Sequence, residues 1–360
     1  MPPIPHVDVK AQYAPLIHEL KEAFARTLES GRFIFGPEVE GFEREAAEYL
    51  GVEQSIGVAN GTDALVLVLD ALEIGLGDEV VCPAFTFYAT AEAIARIGAT
   101  PVFADIDPVT LNLDPADVAR RVTERTKAIM PVHLFGRPAP VAELEQFGLP
   151  LIEDAAQAFG AHGIATSIAS TFSFFPTKNL FALGDGGLVA VNDAELGERV
   201  RMLRFHGSRA KKEFDYVGYN SRLDALQAAM LRIFLPHLDG WNTARREAAV
   251  RYAELGLGDF LELPVDEPGH VYHMYCVRSA ERDRLAAALG EAGIGFASYY
   301  EPPLHLQPAL RYLGYSPGDL PETEKASREN LCLPMWGGIS AQQQTEVANV
   351  LRSAATLVKT

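Results

Sequence analysis

From about Ser55 to Val191 the chain alternates short β-rich runs with segments of helix length, and no other feature limits its fold as strongly. Strands and helices that take turns in this way pack as a mainly parallel sheet with helices on both faces. Strands are expected at Ser55–Val58, Glu79–Cys82, Pro101–Ala104, Ala128–Val132, Leu151–Asp154, Ser170–Phe174 and Leu188–Val191. Helices are expected over Thr62–Leu72, Tyr88–Ile97 and Val141–Phe147. Turn residues mark the junctions: Gly75 and Gly77, Gly98, Asp107-Pro108, and the stretch from Gly136 to Pro140.

Past Arg222 the pattern changes to a long Ala- and Arg-rich helical stretch reaching about Leu255. A β-like run over Val271–Val277, a helix near Arg282–Ala292 and Pro-rich loops around Pro302 and Pro317 follow it. A chain of 360 residues, 48% of them apolar, can bury more than one core. The expected division is a large domain over residues 1–235, including an N-terminal arm, and a smaller α+β domain over 236–360.

The formal charge of -17, from 31 Lys plus Arg against 48 Asp plus Glu, repels nucleic acid and anionic membrane surfaces. Three scattered cysteines, Cys82, Cys276 and Cys332, offer neither a disulfide framework nor zinc-ligand spacing, so no metal is expected. The stretch Met1–Lys10 has no apolar leader-like core, and no run approaches the ~18 apolar residues of a membrane span. The compartment expected is the cytoplasm.

Four segments carry chemistry. Leu151–Gln157 is a buried-strand run ending in acids; at the carboxyl edge of such a sheet Asp154 can face a ligand, and a carboxylate there can keep a pyridine nitrogen protonated. Gln157 can reach a neighbouring ring oxygen, while an acid favoured by a helix N-terminus is the plainer account of Asp154. Ser173–Asn179 places Lys178 just past a strand, between a proline turn and the glycine-rich Gly184–Gly187, where desolvation can make its amine nucleophilic; most lysines are simply solvated. In Ala59–Asp63, Gly61 permits close backbone approach, and Thr62 and Asp63 open a helix whose free N–H groups can cradle a phosphate or merely be capped. Pro83–Tyr88 supplies Phe87, which can stack on a flat ring or fill a core.

In this order the motifs resemble the DegT/DnrJ/EryC1/StrS family of nucleotide-sugar aminotransferases, enzymes of the aspartate aminotransferase fold type I that use pyridoxal 5′-phosphate (PLP). Asn60–Ala64, Glu153–Gln157, Phe172–Asn179 and Gly218–Asp224 carry the resemblance, which extends from Val9–Tyr13 and Phe35–Val39 to Leu333–Met335. It implies an α/β fold with a mainly parallel seven-stranded sheet, and transfer of an amino group from L-glutamate to a nucleotide-linked keto sugar. It implies also that Lys178 anchors the cofactor as a Schiff base and shuttles the proton, that Asp154 and Gln157 fix the ring, and that Thr62, Asp63 and Ser173 hold the phosphate.

A homodimer is implied as well, with Asn220 reaching the partner's cofactor and Arg222 its substrate. The loop Tyr300–His305 resembles one lining the sugar site, so His305 is a candidate substrate contact. Gly184-Asp-Gly-Gly187 resembles the form found in 3-keto sugar enzymes and favours amination at C3 over a 4-keto sugar or a cyclitol ketone. A sugar dehydratase would have histidine in place of Lys178. A regulator that keeps the cofactor without catalysis is the distant alternative, and neither GxGxxG after a strand nor a P-loop is present to suggest a dinucleotide or nucleoside triphosphate. The chain departs from the family between Gln157 and Ser173, where Ala158–Phe172 stands in place of a longer basic hairpin.

Overall fold

The computed structural model describes residues 3–356. The seven expected strands all form: β1 Gln54–Val58, β2 Glu79–Pro83, β3 Thr100–Ala104, β4 Thr126–Ile129, β5 Ile152–Asp154, β6 Ala169–Ser173 and β7 Gly187–Val191. Hydrogen bonding groups them as β3-β2-β4 and β5-β6-β7-β1. Parallel bridges Ile129↔Leu151 and Val132↔Asp154 then join β4 to β5 into one twisted layer. Only β7 runs against the rest, pairing antiparallel with both β6 and β1.

Helices cover both faces because the strands alternate what they present. On β7, Val189 and Val191 pack with Leu65, Leu67, Leu69 and Val200, whereas Leu188 and Ala190 pack with Phe42, Phe172, Leu231 and Phe234. The helix Gly61–Ala71 is apolar nearly all round, and it is buried nearly all round. Asn60 ends its extended approach by accepting from Asp63 N at 2.8 Å, which caps the helix.

Towards the C-terminus, helices Leu238–Glu254, Arg282–Glu291 and Ala341–Thr356 pack around a two-stranded antiparallel sheet, β8 Tyr275–Arg278 with β9 Asn330–Leu333. Tyr252, Tyr275, Leu289, Leu331, Trp336 and Leu351 form that core, and Ile4 packs into it from the other end of the chain. The β-like run expected from Val271 becomes a strand only at Tyr275. Val271 N and Met274 N donate instead to Gly136 O and Phe135 O of the loop after β4, and the carbonyls of Tyr272 and His273 accept from Arg245. Tertiary bonding outweighs strand propensity there. No helix among the described residues is long and apolar enough to cross a membrane.

Two glycines let the sheet edge close on itself. A Cβ on Gly187 would lie 2.4 Å from the backbone carbon and oxygen of Asn60, and one on Gly61 would lie 2.7 Å from Ser173 Cβ. The starts of β7 and of the Gly61 helix thus come together with the end of β6. Gly187→Ala is expected to destabilise the chain by roughly 1–3 kcal/mol, read as a lower urea midpoint, because the neighbour it strikes is backbone and cannot rotate away.

Candidate active site

Strands β1, β2, β5 and β6 all end at the same edge of the sheet, and the residues just past them line a cavity of about 590 Å³. Eight expected site residues meet there: Gly61, Thr62, Asp63, Phe87, Asp154, Gln157, Ser173 and Lys178. Three others do not line it. Asn220 is exposed and pairs with Phe205, and Arg222 lies over the Phe205 ring at 6.0 Å. His305 is turned inward, 1% exposed, with Nε2 at 3.2 Å from Glu324 Oε1 and its ring edge-on to Tyr315.

Asp154 is enclosed at the end of β5. Its Oδ2 accepts from Thr90 Oγ1 at 2.8 Å and its Oδ1 from Ala156 N at 3.2 Å. Burial pushes its carboxyl above the ordinary range, while those two bonds and the charge of Lys178 pull the other way. A cation delivered to this carboxylate would relieve the cost of burying it. Lys178 follows a turn in which its own N–H donates to Phe175 O at 2.8 Å. Burial lowers its amine to about 8, against the opposing pull of Asp154.

Gln157 is held from both sides, with Oε1 accepting from Phe135 N at 2.7 Å and Nε2 donating to the Tyr300 hydroxyl at 3.1 Å. One amide N–H is left over. At the other end, capping by Asn60 satisfies Asp63 N, and the N–H groups of Gly61 and Thr62 stay at the open helix end beside Ser173. Phe87 is 59% exposed, an apolar face with no core around it. These residues fit pyridoxal phosphate: an amine, a carboxylate in need of a cation, a donor beside the ring, an aromatic face and an anion-binding helix end share one cavity.

Some of the machinery is not legible as a motif. Thr90, Tyr299 and His273 come from segments read only as helix, loop or strand, whereas Tyr300 opens the loop singled out by its resemblance to a sugar-site loop. For His273 the available signal was a histidine inside the apolar run Val271–Val277. Glu153, beside Asp154, points away from the cavity and is 0% exposed. It accepts from Ala165 N, Thr166 N and Ser167 N at 2.8–2.9 Å and from His133 Nε2 at 2.8 Å. His133 takes Ala139 N on its other nitrogen, so its proton sits on Nε2. The short segment between Gln157 and Ser173 is therefore folded back onto the far side of β5, and only Gln157 and Ser173 at its two ends line the cavity.

Comparison with known proteins agrees with this geometry. Residues 16–352 match the model of the DegT/DnrJ/EryC1/StrS aminotransferase family. The chain belongs to that family. It is 47% identical to a pleiotropic regulatory protein of Geobacillus stearothermophilus, over 96% of each chain. It is 43% identical to a dTDP-3-amino-3,4,6-trideoxy-alpha-D-glucose transaminase of Streptomyces venezuelae, covering 99% of this chain and 97% of the relative. The crystal structure of S. venezuelae DesV in complex with a ketimine intermediate superposes with a TM-score of 0.95, at 42% identity and 99% coverage of both chains. The expected α/β aminotransferase fold is the fold observed.

Glu153 gives a pH test. Burial alone would raise its carboxyl, but bonds from His133 and Ser167 overcome that and hold it at about 2. A carboxyl depressed from its usual ~4.3 stabilises the fold fully above that value, and the contribution is lost as pH falls through about 2. Glu153→Gln should therefore lower stability at pH 6–7, with the gap to the parent protein narrowing steadily below pH 4 in urea titrations.

Proposed function

We propose that the chain transfers an amino group from L-glutamate to the C3 carbonyl of a nucleotide-linked keto sugar, using pyridoxal 5′-phosphate. The observation that carries this reading is that Lys178 and Asp154 line one cavity together with an open helix N-terminus. Membership of the aminotransferase family supports the reaction type. The C3 assignment is supported by the Gly184–Gly187 sequence and by the 3-amino sugar in the name of the Streptomyces relative.

The cofactor supplies an electron sink: with its ring nitrogen protonated, it can delocalise charge from the carbon that bears the migrating amine. Asp154 keeps that proton on the nitrogen by remaining ionised against it. Gln157 offers its free N–H to the ring oxygen. Thr62, Asp63 and Ser173, with the first N–H groups of the Gly61 helix, hold the phosphate. Lys178 anchors the cofactor and, once released, has a partly neutral amine near pH 7 because burial lowers it to about 8. Its Nζ would take the proton from the substrate carbon and hand it to the carbon that the cofactor contributes to the imine.

We propose further that two copies associate, so that Asn220 and Arg222 serve the neighbouring cavity and need not line their own. Ile17, Phe24 and Leu28, spaced at helical intervals on one exposed face, support this, as do exposed Phe33, Ile34, Phe175 and Leu183. Within His305's loop it is Tyr300 that lines the cavity, while the histidine pairs with Glu324.

Lys178→Ala should abolish turnover together with the borohydride-reducible chromophore; survival of both would remove the lysine from the chemistry. Asp154→Asn should bind cofactor yet slow transamination by at least ~10²-fold in single-turnover assays with glutamate. Mixing an inactive Lys178 variant with an inactive Asn220 variant should restore part of the activity, and no recovery would count against a shared site. Product NMR over a panel of 3-keto and 4-keto nucleotide sugars decides the position of the new amine.

A further inference from the structure

The residue after Lys178 is fully committed. Asn179, 2% exposed, donates from its amide nitrogen to Asn242 Oδ1 at 2.7 Å and to Val271 O at 3.0 Å. With both N–H groups used, its Oδ1 can only accept, and His273 Nδ1 lies 3.3 Å from it. The proton of that ring therefore sits on Nδ1. His273 lines the cavity and is 3% exposed. Burial, followed by the charges of Lys178, Arg245 and His6, holds it well below its usual basicity, so the ring is neutral and carries a lone pair on Nε2.

The backbone around His273 is clamped by an uncommon device. Arg245 is 1% exposed, and Nη1 donates to the carbonyls of Tyr272 at 3.1 Å, His273 at 3.3 Å and Met335 at 3.4 Å. Among the described residues no carboxylate pairs with it, and its Nε has no partner. Enclosing a guanidinium against carbonyls alone is costly. What it achieves is a fixed peptide under the histidine and a positive charge that discourages protonation of the ring.

Lys178 is meanwhile attracted by Asp154, at the end of the cavity where the ring nitrogen belongs. An acceptor elsewhere is needed if the free amine is to stay near the carbon on which it acts. We propose that His273 is a positioning residue for Lys178: anchored through Nδ1 on Asn179, it presents its Nε2 lone pair to the lysine amine whenever that amine is free. The proposal rests on the reading that Lys178 is the acting amine, and borohydride trapping on the unaltered protein tests that reading separately.

The test compares His273→Asn with His273→Gln in the full chain. Asn keeps a donor for Asn179 but loses the acceptor at the Nε2 position; Gln carries its amide out to that position. Two quantities are read, with thermal melts to establish that both variants fold. One is the glutamate half-reaction, resolved into kcat and KM. The other is the rate at which cofactor-free protein forms the covalent bond to added pyridoxal phosphate, followed by visible absorbance.

His273→Asn should lower kcat by about 10- to 100-fold with KM within about twofold, the scale expected when a reacting amine loses its orientation, and should slow covalent capture by about tenfold. His273→Gln should recover most of both rates. Parent-like rates in His273→Asn, or equal losses in the two variants, would overturn the proposal. Failure to trap any adduct at Lys178 in the unaltered protein would instead bring down the underlying reading, and this inference with it.

Discussion

Everything at the cavity depends on Asp154 being shut into the end of a strand with a threonine hydroxyl and one peptide N–H for company. Such a carboxyl is uncomfortable in isolation, because burial disfavours its charge more than the Thr90 and Ala156 bonds and the more distant charge of Lys178 favour it. The arrangement is tolerable when a ligand brings the missing positive charge. Neutralising Asp154 internally with an arginine would give a more ordinary core and a useless site.

The strand that carries Asp154 is productive on both faces. Side chains alternate across a sheet, so Glu153 necessarily points the other way, and it uses that position to gather three peptide N–H groups and a histidine. The same two-residue step thus turns one carboxylate to the cavity and uses the other to fasten the short segment before β6. The anchoring point of that segment lies behind the sheet, away from the cavity.

Much of this was legible in the chain. Alternating β-rich and helical runs yielded all seven strands of the main sheet to within a few residues, because buried parallel strands are short apolar runs bounded by turn residues. Lys178, Asp154, Gln157 and the Asn60–Asp63 turn could be placed together because each lies at or within a few residues of the carboxyl end of a strand, and such ends meet at one edge of a parallel sheet. Other parts were hidden for physical reasons. His273 comes from a segment far along the chain whose approach depends on tertiary packing, and Arg245 sits on a helix where its sequence neighbours suggest an ordinary solvated charge. Asn220 and Arg222 could be marked only by resemblance, since nothing local tells which cavity a side chain will serve.

The antiparallel insertion of β7 between β6 and β1 has a consequence for synthesis. β1 is the first strand of the sheet to leave the ribosome, yet its only neighbour in the finished layer is β7. At ordinary rates of translation the intervening stretch takes on the order of ten seconds to appear. Throughout that interval the apolar Gly61–Ala71 helix lacks the β6–β7 surface it packs on in the finished fold, so its apolar face stays uncovered until Gly187 arrives.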